Sequence, residues 1–134
     1  YLICKFLGKD ESECEKIKIA SVLHDIGKVG IPDTILNKPE KLTEHEWTIM
    51  ETHSKLGYDM LIDSEFESMQ LAAKMALEHH ERWDGAGYPN GKVGEEISLV
   101  GRICSVADVF DSLLDRRVYK QPWDEKSVKE LFEI

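Results

Sequence analysis

The sequence predicts an all-α domain whose helices surround one shared site. Three observations carry that reading. Capping-type residues recur ahead of apolar stripes at helical spacing. No stretch shows the alternation of a half-buried strand. The histidines and several aspartates fall on predicted helices or at their ends.

The elements follow in order. Leu2, Ile3, Phe6 and Leu7 have the spacing of an amphipathic helix that stops near Gly8, so the sequence reads as beginning inside a helix. Ser12 and Glu15 have capping-box spacing ahead of Ile17, Ile19, Ala20, Val22, Leu23 and Ile26. They predict a helix ending in His24-Asp25, with Gly27 as its stop. Lys28 to Lys41 contains Pro32 and Pro39 and reads as a loop with one short turn. Thr43 and Glu46 form a second capping box, opening a helix through Trp47, Ile49, Met50 and His53 towards Gly57. A further helix is predicted from around Glu67 through Leu71, Met75 and Leu77 to His80. Asp84 to Gly94, with Gly85, Gly87, Pro89, Gly91 and Gly94, is too rich in Gly and Pro for a regular element and reads as a shaped loop. The next helix starts near Ser98 and carries Leu99, Ile103, Val106, Phe110 and Leu113 on one stripe. A last helix follows Pro122, capped by Asp124.

Composition narrows the function. The 134 residues suffice for one compact domain with an apolar core, and 42% hydrophobic with 32% charged residues indicates an ordered chain. The formal charge of -9 argues against general affinity for DNA or RNA, which depends on many Lys and Arg neutralising phosphates. No apolar run approaches the roughly 20 residues of a bilayer span. No membrane contact is expected of this chain. Cys4, Cys14 and Cys104 lack CxxC spacing and read as reduced packing residues, which suits a cytoplasmic location.

His24, Asp25, His53, His79, His80 and Asp108 are the candidates for chemistry. Asp25 falls in the last turn of its predicted helix, where the dipole disfavours a carboxylate unless a cation such as Lys28 or a metal compensates. His53 shares a helical face with Ile49 and Met50. His79 follows Ala72 and Met75, and His80 follows Ala73 and Ala76, at the same spacing. A single imidazole so placed reads as a core histidine bonded to a carbonyl. Two adjacent ones with a third on another helix favour a metal. Asp108 lies off the apolar stripe, beside Gly101, Cys104, Ser105, Asp111 and Asp115. That face is either solvated, or small enough to approach a metal closely. Imidazole and carboxylate ligands without thiolates suit Fe, Mn or another first-row divalent ion better than structural zinc. A carboxylate such as Asp25 can bridge two cations that polarise phosphate oxygens.

These residues resemble a known family. His24-Asp25-Ile26-Gly27-Lys28 followed by Val29-Gly30-Ile31-Pro32 is similar to the HD-GYP signature. His79-His80-Glu81-Arg82-Trp83-Asp84-Gly85-Ala86-Gly87-Tyr88-Pro89 resembles its HHE-x-x-DGxGYP segment, and Ala107-Asp108-Val109-Phe110-Asp111 its late aspartate helix. The match runs from about Ser12 to Trp123. The resemblance implies an HD-domain helical bundle with a metal centre and an irregular GYP loop. His24, Asp25, His53, His79, His80 and Asp108 would ligate two or three divalent metal ions, Fe or Mn, with Asp25 bridging. Asp25 and Lys28 would serve catalysis, Lys28 on a substrate phosphate. Tyr88 and Pro89 would shape the cleft, while Arg117 and Lys120 match basic positions that hold cyclic di-GMP.

The implied activity is hydrolysis of cyclic di-GMP to the linear dinucleotide and, in some members, GMP. Implied partners are the cyclic dinucleotide, a GGDEF-domain protein and a second copy in a homodimer. The alternatives are a non-catalytic cyclic-dinucleotide sensor or GGDEF-docking module, and a phosphodiesterase for mixed cyclic GMP-AMP. One departure matters. The family's first metal-binding His, and in some members a Glu before it, belongs on a helix preceding position 1. Residues 1–134 therefore read as a single HD-GYP domain missing its N-terminal helix or part of it, for which weakened metal retention and poor activity are expected.

Overall fold

The computed structural model describes residues 1–114, and within them the chain is helical. After the short α1 (Leu2–Phe6), α2 (Glu11–Ser21) is capped by Asp10, whose carboxylate accepts from the Glu13 N–H at 2.8 Å. The expected Ser12–Glu15 capping box is thus replaced by a charged cap further upstream, which also suits the positive end of the helix dipole.

α2 also ends earlier than expected. From Val22 onward the backbone closes i−3 bonds: Leu23 N–H to Ala20 O at 3.1 Å, His24 N–H to Ser21 O at 3.3 Å and Ile26 N–H to Leu23 O at 3.0 Å. These tighter turns lead into a 3-10 turn, Ile26–Gly30, so His24 and Asp25 stand on a wound connector rather than inside α2. The cause is tertiary. Gly27 lies against the backbone of the fourth helix so closely that a Cβ there would sit 1.9 Å from the His53 carbonyl oxygen. Pro32 then opens the one-turn α3 (Asp33–Leu36), as the loop reading allowed.

α4 (Glu44–Leu61) carries the predicted capping box. The Glu46 N–H donates to Thr43 Oγ1 at 3.3 Å, and the Thr43 N–H to Glu46 Oε2 at 2.8 Å. The helix runs through Gly57 rather than stopping there. Gly57 faces Gly27 and Ala76, and its missing side chain serves packing.

α5 (Glu67–Glu78) is the central helix, burying Ala72, Ala73, Met75 and Ala76 between α2, α4 and α6. His79 caps its C-terminus, and His80 lies just beyond it rather than within the helix. The core gathers Cys4, Cys14, Ile17, Ala20, Ala72, Met75, Ile103 and Cys104, and all three cysteines are free and buried.

The Gly-rich segment closes on itself through an isolated bridge between Asp84 and Val93, and no strand forms among the described residues. α6 (Leu99–Leu114) begins where expected but shows a different face. Ile103 is buried, yet Val106 and Phe110 remain 44% and 37% exposed while Gly101 and Cys104 are buried. The small-residue side faces inward because Gly101 lets α6 approach α5. The predicted apolar stripe is only partly buried. The helix expected after Pro122, with Arg117 and Lys120, lies outside the described residues.

Candidate metal centre

Four elements converge on one point. The connector after α2 supplies His24 and Asp25, α4 supplies His53, the end of α5 supplies His79 and His80, and α6 supplies Asp108. One ligand atom each from Asp25, His53, His79 and His80 lies within 4.8 Å of the others. His53 Nε2 and His79 Nε2 stand 3.4 Å and 3.6 Å from Asp25 Oδ1. His24 Nε2 lies 3.4 Å from Asp25 Oδ2 and 3.7 Å from Asp108 Oδ1. All six residues singled out as ligands are therefore brought together.

The imidazoles are oriented from behind. His24 Nδ1 bonds the Ser21 carbonyl at 2.7 Å, His53 Nδ1 the Met50 carbonyl at 2.7 Å, and His79 Nδ1 the Ala76 carbonyl at 2.9 Å. A carbonyl only accepts, so each Nδ1 carries the proton and donates. In the neutral ring Nε2 then keeps its lone pair for the centre. Burial, and then the neighbouring His79 ring, lowers the His80 imidazole to about 3. Burial also lowers His53. Both rings are thereby neutral and able to ligate at neutral pH. Asp108 raises the His24 imidazole, and His24 in turn holds the Asp108 carboxyl below its usual range. Burial pushes the Asp25 carboxyl up, but His79 and Lys28 outweigh it and leave the group below the ordinary carboxylate range.

One atom tests whether a cation fits. Asp25 Oδ1 is buried without a hydrogen-bond partner, although two imidazole nitrogens face it. An acceptor surrounded by lone pairs is costly unless a proton or cation lies among them. Bonds of about 2.1 Å place neighbouring donor atoms ~3.0–3.4 Å apart around one ion, near the separations seen here. The donor set of imidazoles and carboxylates fits a divalent metal.

Of the remaining predicted residues, Lys28 and Tyr88 stand beside this centre, while Arg117 and Lys120 lie outside the described residues. Lys28 donates to Asp25 Oδ2 at 2.6 Å and so is the compensating cation beside that carboxylate. Tyr88 stacks on His80 with ring centroids 4.7 Å apart, its phenol pushed up by burial. Pro89 follows through a cis peptide and is exposed.

Residues outside the predicted set hold the rim in place. Glu81, named only as part of a motif, is 2% exposed and accepts the Asn90 and Lys92 N–H groups at 2.8 Å and 2.9 Å. Glu78 is absent from the predicted set altogether. It is 4% exposed and takes the Lys92 ammonium at 2.5 Å and the Ser98 N–H at 2.9 Å. Its only signal in the sequence is an acid just before two histidines, which spacing alone does not distinguish from a solvated one.

The comparison with known families decides the assignment: a model described as HD domain matches residues 2–132. The chain belongs to the HD domain family. Among curated relatives, this HD domain is 50% identical over 123 residues to the 3'3'-cGAMP-specific phosphodiesterase 2 of Vibrio cholerae, covering 92% of this chain and 24% of that protein. It is 51% identical over 122 residues to the cyclic di-GMP phosphodiesterase response regulator RpfG of Xanthomonas campestris, covering 91% and 32%. It is 47% identical over 130 residues to a cyclic di-GMP phosphodiesterase of Thermotoga maritima, covering 97% and 34%. The chain thus spans about a quarter to about a third of the length of these relatives. Among the described residues, no helix of the HD domain is long and apolar enough to cross a membrane.

Proposed function

We propose that this HD domain hydrolyses a phosphodiester bond of cyclic di-GMP in a metal-dependent reaction, yielding the linear dinucleotide, which some HD-GYP proteins carry on to GMP. The observation that carries the reading is the buried, unpartnered Asp25 Oδ1 facing two imidazoles, with the Lys28 ammonium on the other oxygen of the same carboxylate. Two or three divalent ions, Fe or Mn, would be held by His24, Asp25, His53, His79, His80 and Asp108. When bound, they polarise phosphoryl oxygens and make a water-derived nucleophile available near neutral pH.

The protein groups do the rest. Lys28, fixed by its 2.6 Å contact with Asp25, stands at the edge of the centre and offsets charge developing on a phosphoryl oxygen. Tyr88, stacked on His80, forms a wall of the cleft and keeps water from one side of the reacting phosphate. Pro89 extends that wall. Arg117 and Lys120, which lie outside the described residues, are the further cations proposed to hold the cyclic dinucleotide.

The identity to a relative named for 3'3'-cGAMP supports a second reading, in which the mixed cyclic dinucleotide is the substrate. Both are tested by supplying the full-length protein, purified anaerobically and loaded with Mn or Fe, with each cyclic dinucleotide in turn. Metal-dependent turnover of cyclic di-GMP in excess of 3'3'-cGAMP is expected, and a reversed preference selects the second reading. Replacing His24 and Asp25 together by Ala abolishes hydrolysis without unfolding the protein. Retained hydrolysis in that variant refutes the metal assignment, and binding of either nucleotide without turnover in the wild type makes the domain a sensor.

A further inference from the structure

We propose that Glu78 is a positioning residue that sets the geometry of the centre by tying together the three elements carrying His79, Tyr88 and Asp108. The inference rests on the metal-dependent reading of the site and adds to it a group that touches neither metal nor substrate.

The bonds run in three directions from a single carboxylate. Glu78 ends α5 immediately before His79 and His80. Its Oε1 takes the Lys92 ammonium at 2.5 Å, which fixes the loop bearing Tyr88. Its Oε2 takes the Ser98 N–H at 2.9 Å and the Ser98 hydroxyl, which fixes the start of α6. Ser98 Oγ is at the same time the cap of α6, accepting the Gly101 N–H at 3.2 Å. Removing Glu78 therefore loosens the cap as well as the tie.

Gly101 is an independent sign that this contact is built in. A Cβ there would sit 2.6 Å from Glu78 Oε2 and 2.7 Å from Glu78 Cβ. Glycine inside a helix is less favourable than alanine, and here the smaller residue is what admits the glutamate. Stability does not explain the arrangement, because a buried ion pair is commonly no better than apolar residues of the same volume. Placement does explain it. Asp108 lies ten residues beyond Ser98, ~15 Å along the helix, so a swing of about 5° at Ser98 moves Asp108 by roughly 1.3 Å. Errors of about 1 Å in a reacting site can cost on the order of 100-fold in rate.

The two ties are separable. Glu78→Gln keeps an acceptor for Ser98 but turns an amide N–H₂ towards the Lys92 ammonium, breaking only the loop tie. Lys92→Met breaks the same tie from the other side. Glu78→Ala breaks both. In the full-length protein, with folding checked by circular dichroism, Glu78→Gln and Lys92→Met raise KM for cyclic di-GMP roughly 10-fold while Mn affinity stays within about 2-fold of wild type. Their double variant is no worse than either alone, since both remove one bond. Glu78→Ala additionally weakens Mn binding about 10-fold and lowers kcat by roughly 100-fold. A merely structural role lowers the melting temperature and leaves these quantities alone.

Folded variants with wild-type KM and wild-type Mn affinity overturn the proposal. If Glu78→Ala does not fold, the KM of the other two variants decides. A wild-type protein that binds Mn but turns over no cyclic dinucleotide refutes the phosphodiesterase reading instead. Mn affinity of Glu78→Ala still tests the positioning role in that case.

Discussion

Gly27→Ala is the smallest change expected to disable the centre without touching a ligand. A Cβ at Gly27 would meet the His53 carbonyl oxygen at 1.9 Å, the Gly57 nitrogen at 2.5 Å and the His53 carbonyl carbon at 2.9 Å. All three are backbone atoms of α4 and cannot swing aside. Ordinary contact for a Cβ begins at 3.4 Å, so the 3-10 turn and α4 must part by about 1.5 Å. Asp25 rides on one side of that contact and His53 on the other, 3.4 Å apart at Oδ1 and Nε2. Opening them to about 4.9 Å exceeds the ~4.2 Å that one ion with bonds of about 2.1 Å can span.

The overpacking costs about 3 kcal/mol, which lowers the melting temperature by roughly 10 °C. Mn affinity, followed by the electron paramagnetic resonance of the free ion, falls by roughly 100-fold, the upper end for perturbing groups behind a metal ligand. A Gly27→Ala protein that melts like the wild type and binds Mn as tightly would refute the claim that this close approach builds the site.

Other changes separate stability from chemistry. Thr43→Ala removes the α4 cap and costs about 1 kcal/mol in a denaturant titration. Mn binding is unchanged, because His53 lies ten residues further along the helix, ~15 Å away. Glu46 carries the other half of that cap, and its carboxyl is held down at about 2, first by Lys38 and then by the Thr43 N–H. A depressed carboxylate stabilises the fold above its unfolded value near 4.5 and loses that contribution as pH falls towards 2. Glu46→Gln therefore flattens the acid limb of the melting temperature between these pH values, and an unaltered limb would remove Glu46 from the account. Met75→Ala, in the fully buried middle of α5, costs roughly 2–5 kcal/mol with the cavity it leaves, measured by denaturant unfolding.

The candidate cluster was legible because its residue types and spacing are unusual in themselves. Adjacent His79 and His80 after an alanine-rich helix, and His53 on a capped helix, point inward for reasons that short-range periodicity contains. The helix starts at Thr43 and near Ser98 were readable for the same reason, since a cap is a local feature. What escaped depends on contacts between distant segments. α2 ends at Ser21 because Gly27 must reach the backbone of α4, and no local signal distinguishes that glycine from a simple helix stop. The inward face of α6 is set by Glu78 fitting over Gly101, so a hydrophobic stripe was the wrong guide and Val106 and Phe110 are exposed. Glu78 itself was invisible because its burial is produced by Lys92 and Ser98, 14 and 20 residues away.

The central claim is that Asp25 is the carboxylate around which cations assemble. Equilibrium titration of the full-length wild type and of Asp25→Ala with Mn, at neutral pH after metal stripping, tests it most directly. The account predicts saturable binding of at least one ion by the wild type, and its loss in a folded Asp25→Ala protein. Binding of equal stoichiometry and affinity in that variant would contradict it.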